Sequence, residues 1–248
     1  MPSSSASRRL PIASSNSCPF VKGVLRGTFF VVAPPSVPYD KNMNEETKML
    51  RGKIYDCSEP ELSAKQKELN LLNEEWNALS AFSPKRPALL AKFAPNIDQS
   101  CYLRGPVYFD YGCNIYMGPN CYANYNLTIL DVCPVVIGEG CHIGSGVSIL
   151  TPVHPLCASE RALYLGKYGK MTDNEYGKPV TIGDHVWLAS NVTVLPGVTI
   201  GRNSVIGAGS VVTRDIPENV FAAGNPCRVI RQISDADSLA NHPELYEE

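Results

Sequence analysis

The sequence predicts a mainly β fold, a parallel β-helix, and two observations carry that expectation. Five six-residue units run without a break from Ile182 to Val211, led by Ile182, Leu188, Val194, Ile200 and Ile206. Each opens with an aliphatic residue, usually followed by Gly or Ala, and has a small or β-branched residue at its fifth place. A strict period of six is neither the 3.6 of a helix nor the alternation of a single strand. It suits a chain turning through short flat strands, three to a coil, with the leading aliphatic pointing to the coil axis and the glycine relieving crowding at the corner.

Composition sets wide bounds. The chain has 248 residues and a net charge of −2, which gives no bulk electrostatic case for nucleic acid or an anionic membrane. The longest apolar run, Phe29 to Pro35, is far short of a membrane span. Nine cysteines are odd in number and form no Cys-x-x-Cys pairs. Cys113, Cys121, Cys133 and Cys141 fall in or near repeat units, so they are expected to be reduced core thiols in a reducing compartment, the cytoplasm.

In chain order, residues 1–43 form a basic Ser/Pro-rich tail. Arg8, Arg9, Lys22 and Arg26 precede the first acid, Asp40, and seven of the first seventeen residues are serine. Such a start reads either as a disordered tail or as an organelle-import segment, and Pro34, Pro35 and Pro38 make a linker. Residues 44–98 read as helical. Ser58-Glu-Pro-Glu61 has the form of a capping box, and Leu62, Leu69, Leu72, Trp76 and Leu79 share one helical face. A second short helix is expected over Pro87 to Phe93. Residues 99–233 carry the repeats, with imperfect units led by Met117 and Ala123 and clear ones led by Ile137 and Ile143. The register breaks between Leu150 and Pro179, so that stretch must leave the coil as a loop, and long loops in compact folds usually carry function. Residues 234–248 are a polar tail.

Of four histidines, His142 and His185 fall within clean hexads as outward-pointing surface residues, and His242 lies in the tail. His154 differs: it sits in Thr151-Pro-Val-His-Pro155 at the root of the loop, with prolines fixing the backbone on both sides. An imidazole there suits a general base at neutral pH.

Four stretches resemble the maltose and galactoside O-acetyltransferases: Tyr122-Ala-Asn-Tyr-Asn-Leu-Thr-Ile-Leu-Asp131, the Thr-Pro-Val-His-Pro loop, Glu175 to Ser190, and Ala222-Ala-Gly-Asn-Pro-Cys-Arg-Val-Ile-Arg231. Met49 to Leu62 resembles that family's helical preface. The resemblance covers residues 44–233 and implies a left-handed β-helix, a homotrimer and acetyl-CoA bound between subunits, with no metal. By the same resemblance His154 is the general base, Ser190 bonds near the thioester and Asn124 lies between acceptor and cofactor. Asp56, Asp110, Tyr122 and Asn124 take a sugar-like acceptor. Asn124, Trp187, Ser190, Ala208, Thr213, Arg214, Arg228 and Arg231 take the cofactor, the arginines by charge-assisted bonds to phosphate. The family's acceptor arginine is absent, with Lys65 and Gln66 in its place. Two other functions use this repeat: a zinc enzyme of the carbonic-anhydrase type, whose tight histidine cluster the spacing of His142, His154 and His185 does not match, and a non-catalytic trimeric scaffold or regulatory subunit.

Overall fold

A computed structural model describes residues 43–246 in full, together with the backbone of residues 21–25 and 28–32. The latter are two antiparallel strands, β1 (Val21–Leu25) and β2 (Thr28–Val32), in a stretch expected to be an unstructured tail. The serine-rich start and the proline linker lie outside the described residues.

Three helices precede the coil: α1 (Glu45–Leu50), α2 (Pro60–Ala78) and α3 (Arg86–Phe93). The capping box expected at Ser58 is not formed. Glu59 caps α2 instead, its carboxylate accepting from the Leu62 amide at 2.6 Å and meeting the positive end of the helix. Ser58 is drawn away because its amide and hydroxyl both donate to Asp56, at 3.0 and 2.7 Å. The expected apolar face of α2 does pack inward: Leu62 and Trp76 are 2% exposed, and Leu69, Leu72 and Leu79 pack against the core. Trp76 meets Phe93 edge-on at 6.3 Å and carries the Arg86 guanidinium over its ring at 3.4 Å. Polar residues of the same helix cover the first coil's exposed edge. Asn77 bonds both the carbonyl and the amide of Val107, and Asn73 accepts from the Phe109 amide. An otherwise bare sheet edge is thereby satisfied.

The strands then wind as β3 (Tyr102–Leu103), β4 (Val107–Phe109), β5 (Ile115–Met117), β6 (Tyr122–Ala123), β7 (Leu127–Leu130), β8 (Val135–Ile137), β9 (His142–Ile143) and β10 (Ser148–Leu150). An arm follows, holding β11 (Pro152–Val153), α4 (Ala158–Arg161), β12 (Tyr164–Leu165), β13 (Met171–Thr172) and β14 (Tyr176–Gly177). The coil resumes with β15 (Val180–Ile182), β16 (Trp187–Leu188), β17 (Thr193–Val194), β18 (Thr199–Ile200), β19 (Val205–Ile206) and β20 (Val211–Val212), and closes with β21 (Val220–Ala223) and β22 (Arg228–Gln232). Three sheets make the walls. The first is β4, β7, β10, β17 and β20; the second is β5, β8, β15 and β18; the third is β3, β6, β9, β16, β19, β21 and β22. All coil pairs are parallel except β21–β22.

Hexad and wall correspond. Ile182 and Ile200 pair on the second wall, Leu188 and Ile206 on the third, Val194 and Val212 on the first. These residues are 0–1% exposed, and a fully buried aliphatic side chain of this size contributes about 1.5–3 kcal/mol. The fifth-place residues Val186, Val192, Val198, Ser204 and Ser210 fill the interior at the corners. Cysteines do the same in the early coils: the Cys121 and Cys141 thiols donate to the carbonyls of Gly138 and Gly183. All eight described cysteines are free, with Cys121, Cys133 and Cys141 buried and Cys113 partly so.

The turn at each corner is made at the fourth place. Asn120, Asn126, His185, Asn191 and Asn203 all have φ between 56° and 60°, and Gly140, Gly146, Gly197 and Gly209 are likewise positive. Asn and Gly suit that region, and His185 is confined to it by its place in the hexad. The second-place glycines have another reason. A Cβ on Gly144 would lie 2.6 Å from the Ser190 amide nitrogen of the next coil. Gly144→Ala should therefore push two coils apart and destabilise the chain by about 2 kcal/mol, lowering its thermal midpoint by about 5 °C. A thermal melt by circular dichroism checks this.

Candidate functional site

The early coils are longer than the later ones, and the extra length sits at one corner. Paired residues are 20 apart at first (Met117 with Ile137, Ile129 with Ile149) and 18 apart later (Ile182 with Ile200). The two additional residues fall after the first wall, following β4 and β7, and the arm leaves from the same corner after β10. Asp131 closes one such turn. It is fully buried and accepts the amides of Tyr111 and Asn114 at 2.9 and 3.2 Å. Burial pushes its carboxyl up to about 6 against those amide bonds.

His154 stands just past β11. That strand pairs antiparallel with β14, Val153 opposite Tyr176, so the arm's two legs hold the histidine's backbone. Its Nδ1 lies 3.2 Å from the Asn174 carbonyl, which can only accept, so this contact is a hydrogen bond in the tautomer that carries the proton on Nδ1 and presents the Nε2 lone pair. Asp173 and Glu175 flank the ring, each 3.4 Å from one nitrogen, and the side chain is 40% exposed.

Asp110 follows β4 at the same corner. Burial, with the charges of Asp131 and Glu175 nearby, pushes its carboxyl up to about 7. Asp56 is 8% exposed in the loop before α2. Burial raises its carboxyl, but bonds from the Ser58 hydroxyl and amide and from Thr172 outweigh it and hold it below the ordinary range. Thr172 belongs to β13, so Asp56 ties the helical region to the arm, as does Lys167 of the arm with Glu45. Lys65, in the place of the family's acceptor arginine, has its ammonium on Glu46 and beside Cys113.

The remaining residues singled out from the sequence lie mostly elsewhere. Tyr122 and Trp187 face outward on the third wall, in one file with Tyr102 and His142. The Tyr122 ring stacks on Tyr102 at 6.1 Å. Asn124, Ser190 and Ala208 sit at the corner between the third wall and the first, where Asn124 accepts from the Tyr125 amide and Ser190 is exposed. Arg228 and Arg231 are exposed on β22. Arg231 is engaged: its guanidinium makes a two-pronged pair with Asp237 at 2.6 and 2.8 Å. Thr213 and Arg214 return to the histidine's corner, two coils on from the arm.

His154, Asp110 and Asp56 are thus brought together on one edge, while Tyr122, Asn124, Trp187, Ser190 and Ala208 share another wall and edge. The first wall lies between. Its four residues Leu127–Leu130 alone span roughly 13 Å at about 3.3 Å per residue. Among the described residues no hydrogen bond or ion pair joins His154 to Asn124 or Ser190. His142, His154 and His185 also stand apart, and no group of three His, Cys, Asp or Glu could hold a metal ion among the described residues. Two residues of the His154 surroundings carry no functional expectation from the sequence, Tyr55 and Glu175. The Tyr55 hydroxyl donates to Glu175 across 120 residues of chain. Glu175 stands at the head of a motif quoted above, which is the only signal the sequence offers.

Asp110 gives a pH signature. Its folded carboxyl lies at about 7 against an ordinary 3.8, so the folded state binds that proton more tightly. The stabilisation is complete below about pH 4 and is lost as pH rises through 7. Relative to Asp110→Asn, the unaltered chain should lose about 2 kcal/mol of stability between pH 4 and pH 7.5. Urea denaturation of both at the two pH values measures it.

Comparison with known proteins agrees with this architecture. Residues 179–214 match the family model "Bacterial transferase hexapeptide (six repeats)", and residues 129–152 match "Hexapeptide repeat of succinyl-transferase". The galactoside O-acetyltransferase of Escherichia coli K12 is 48% identical over 153 residues, 62% of this chain and 71% of that protein. The crystal structure of a maltose O-acetyltransferase from Clostridium difficile 630 superposes with a TM-score of 0.70 at 40% identity, covering 77% of this chain and 98% of the other. A galactoside acetyltransferase in complex with coenzyme A also gives 0.70, at 42% identity, covering 79% and 94%. With the left-handed parallel β-helix common to these neighbours, the helical preface and the histidine-bearing arm, the chain belongs to the galactoside and maltose O-acetyltransferases of the hexapeptide-repeat class.

Proposed function

We propose that the chain transfers an acetyl group from acetyl-CoA to a hydroxyl of a sugar or similar polyhydroxy acceptor, with His154 as general base. The observation that carries this reading is the Nδ1 contact to the Asn174 carbonyl, which supports the tautomer whose Nε2 can take a proton, on the same edge of the coil as Asp56 and Asp110, carboxyl groups suited to sugar hydroxyls. The acceptor oxygen attacks the thioester carbonyl directly as its proton passes to Nε2. The C–S bond then breaks, and the imidazolium returns the proton to the leaving thiolate. Ser190 and Asn124 bond near the thioester, where negative charge develops.

Cofactor binding is supported by a relative of known structure that carries coenzyme A and another with acetyl-CoA, from Vibrio cholerae. The pantetheine arm runs along the third wall past Trp187 and the small corner residue Ala208. Thr213, Arg214, Arg228 and Arg231 meet the phosphate end, where Arg231 exchanges Asp237 for a phosphate oxygen. Because the His154 edge and the Asn124–Ser190 edge are separated by a whole wall, one chain does not close the site. A homotrimer in which each site takes one edge from each of two copies satisfies the geometry. The eight cysteines among the described residues are unpaired, which favours a reducing compartment, the cytoplasm.

An acetyl-CoA thiol-release assay over a panel of sugars and small alcohols tests the reading. His154→Ala should fold and bind CoA as the unaltered chain does, while turnover falls by about a hundredfold or more. Near-normal turnover of that variant would exclude His154 as the base, and release with none of the acceptors would favour the scaffold.

A further inference from the structure

Glu175 stands directly across the arm from His154. β11 and β14 pair with Pro152 opposite Gly177 and Val153 opposite Tyr176, so the next pair in register is His154 with Glu175. Glu175 Oε2 lies 3.4 Å from His154 Nε2, the nitrogen to which the proposed function assigns the acceptor's proton. The other carboxylate oxygen accepts the Tyr55 hydroxyl. The Tyr55 amide also donates to the Glu175 carbonyl at 3.3 Å, forming an antiparallel bridge. Tyr55 is 3% exposed, so Glu175 is clamped by side chain and backbone to the helical region.

We propose that Glu175 is a positioning residue for His154: its carboxylate, fixed by Tyr55, faces the nitrogen that takes the acceptor's proton and stabilises the imidazolium formed there. The proposal rests on His154 being the general base. A carboxylate beside an imidazole favours the charged ring and fixes its orientation without itself taking the proton. Here the proton leaves the acceptor hydroxyl, resides on Nε2, and goes to the CoA thiolate when the C–S bond breaks; Glu175 takes no proton in the transfer. The setting makes the charge matter. Burial raises the Glu175 carboxyl, while the Tyr55 hydroxyl and a charged His154 lower it. Its negative charge is therefore best accommodated when the ring is positive. Other titratable groups face the pair from each side: Asp173 on the arm, 3.4 Å from Nδ1, Asp110 and Tyr111 from the corner after β4, and Cys133 from the corner after β7.

The test is the pH dependence of kcat and kcat/KM for the full chain with acetyl-CoA and the best acceptor of the panel. Glu175→Gln should lower kcat about tenfold or more, leave both KM values within about twofold, and move the acidic limb of kcat/KM down by about one pH unit. The limb moves down because nothing opposite Nε2 then favours the charged ring. Glu175→Asp, which keeps the charge but retracts it, should recover part of kcat and return the limb toward its original place. Unaltered kcat with an unmoved limb in Glu175→Gln overturns the proposal. If that variant does not fold, unaltered kcat with an unmoved limb in Glu175→Ala, which also removes the charge, overturns it. Turnover retained by His154→Ala removes the base itself, whatever Glu175 does. An inactive His154→Ala beside a fully active Glu175→Gln removes only the positioning role.

Discussion

The structure depends on one steric constraint, the tight corner that each coil must turn three times. The leading aliphatic and the fifth-place residue fill the interior, the fourth residue takes positive φ, and the second leaves room for the backbone of the coil above. Two corners keep a six-residue spacing throughout the coil. The third, after the first wall, is relaxed by two residues after β4 and β7 and opened into an arm after β10. Where the corner is relaxed, buried polar groups replace the tight turn: Asp131 gathers the amides of Tyr111 and Asn114, and the Thr151 hydroxyl joins the Leu130 carbonyl to the Cys133 amide. Carboxyl groups collect there for the same reason, and with them Asp110 and the histidine of the arm. Chemistry is concentrated where the repeat gives way, held in place by walls that do not.

The repeats from Ile182 onward were legible because nothing interrupts them, and their leading residues mark the wall to which each strand belongs. The first coils were harder to read, since two extra residues per coil spoil a period of six although the 20-residue register is regular in space. The residue that makes the turn, Asn or Gly at the fourth place of nearly every unit, was not legible as such: the sequence points to the second-place glycine instead, because positive φ shows only in the folded backbone. Local patterns misled where a tertiary partner intervened: Ser58 has the sequence of a helix cap, but Asp56 takes its hydroxyl and Glu59 caps instead. His154 could be singled out from its prolines. Its neighbours Glu175 and Tyr55 could not, because they meet through an antiparallel register and a bridge between distant segments.

The helical region does more than cover an edge. Through Asn73 and Asn77 it satisfies the first strand of the coil, through Glu45 and Asp56 it holds the arm, and through Tyr55 it reaches the carboxylate beside His154. On the proposed reading these contacts tie acceptor binding and proton transfer to one rigid assembly. On the same reading the opposite edge, with Asn124, Ser190 and the exposed Trp187, offers a wall for the cofactor.

On the proposed reading that division places the site between copies in a trimer, and a mixed assembly tests it most directly. A His154→Ala chain and an Asn124→Ala chain, each inactive alone, would be co-expressed and the mixed trimers assayed for thiol release. Random mixing in a ring of three leaves about one site in four with both an intact histidine and an intact asparagine, so about a quarter of full activity should return. Mixed trimers as inactive as either parent would show that both residues must come from the same chain, contradicting the shared site.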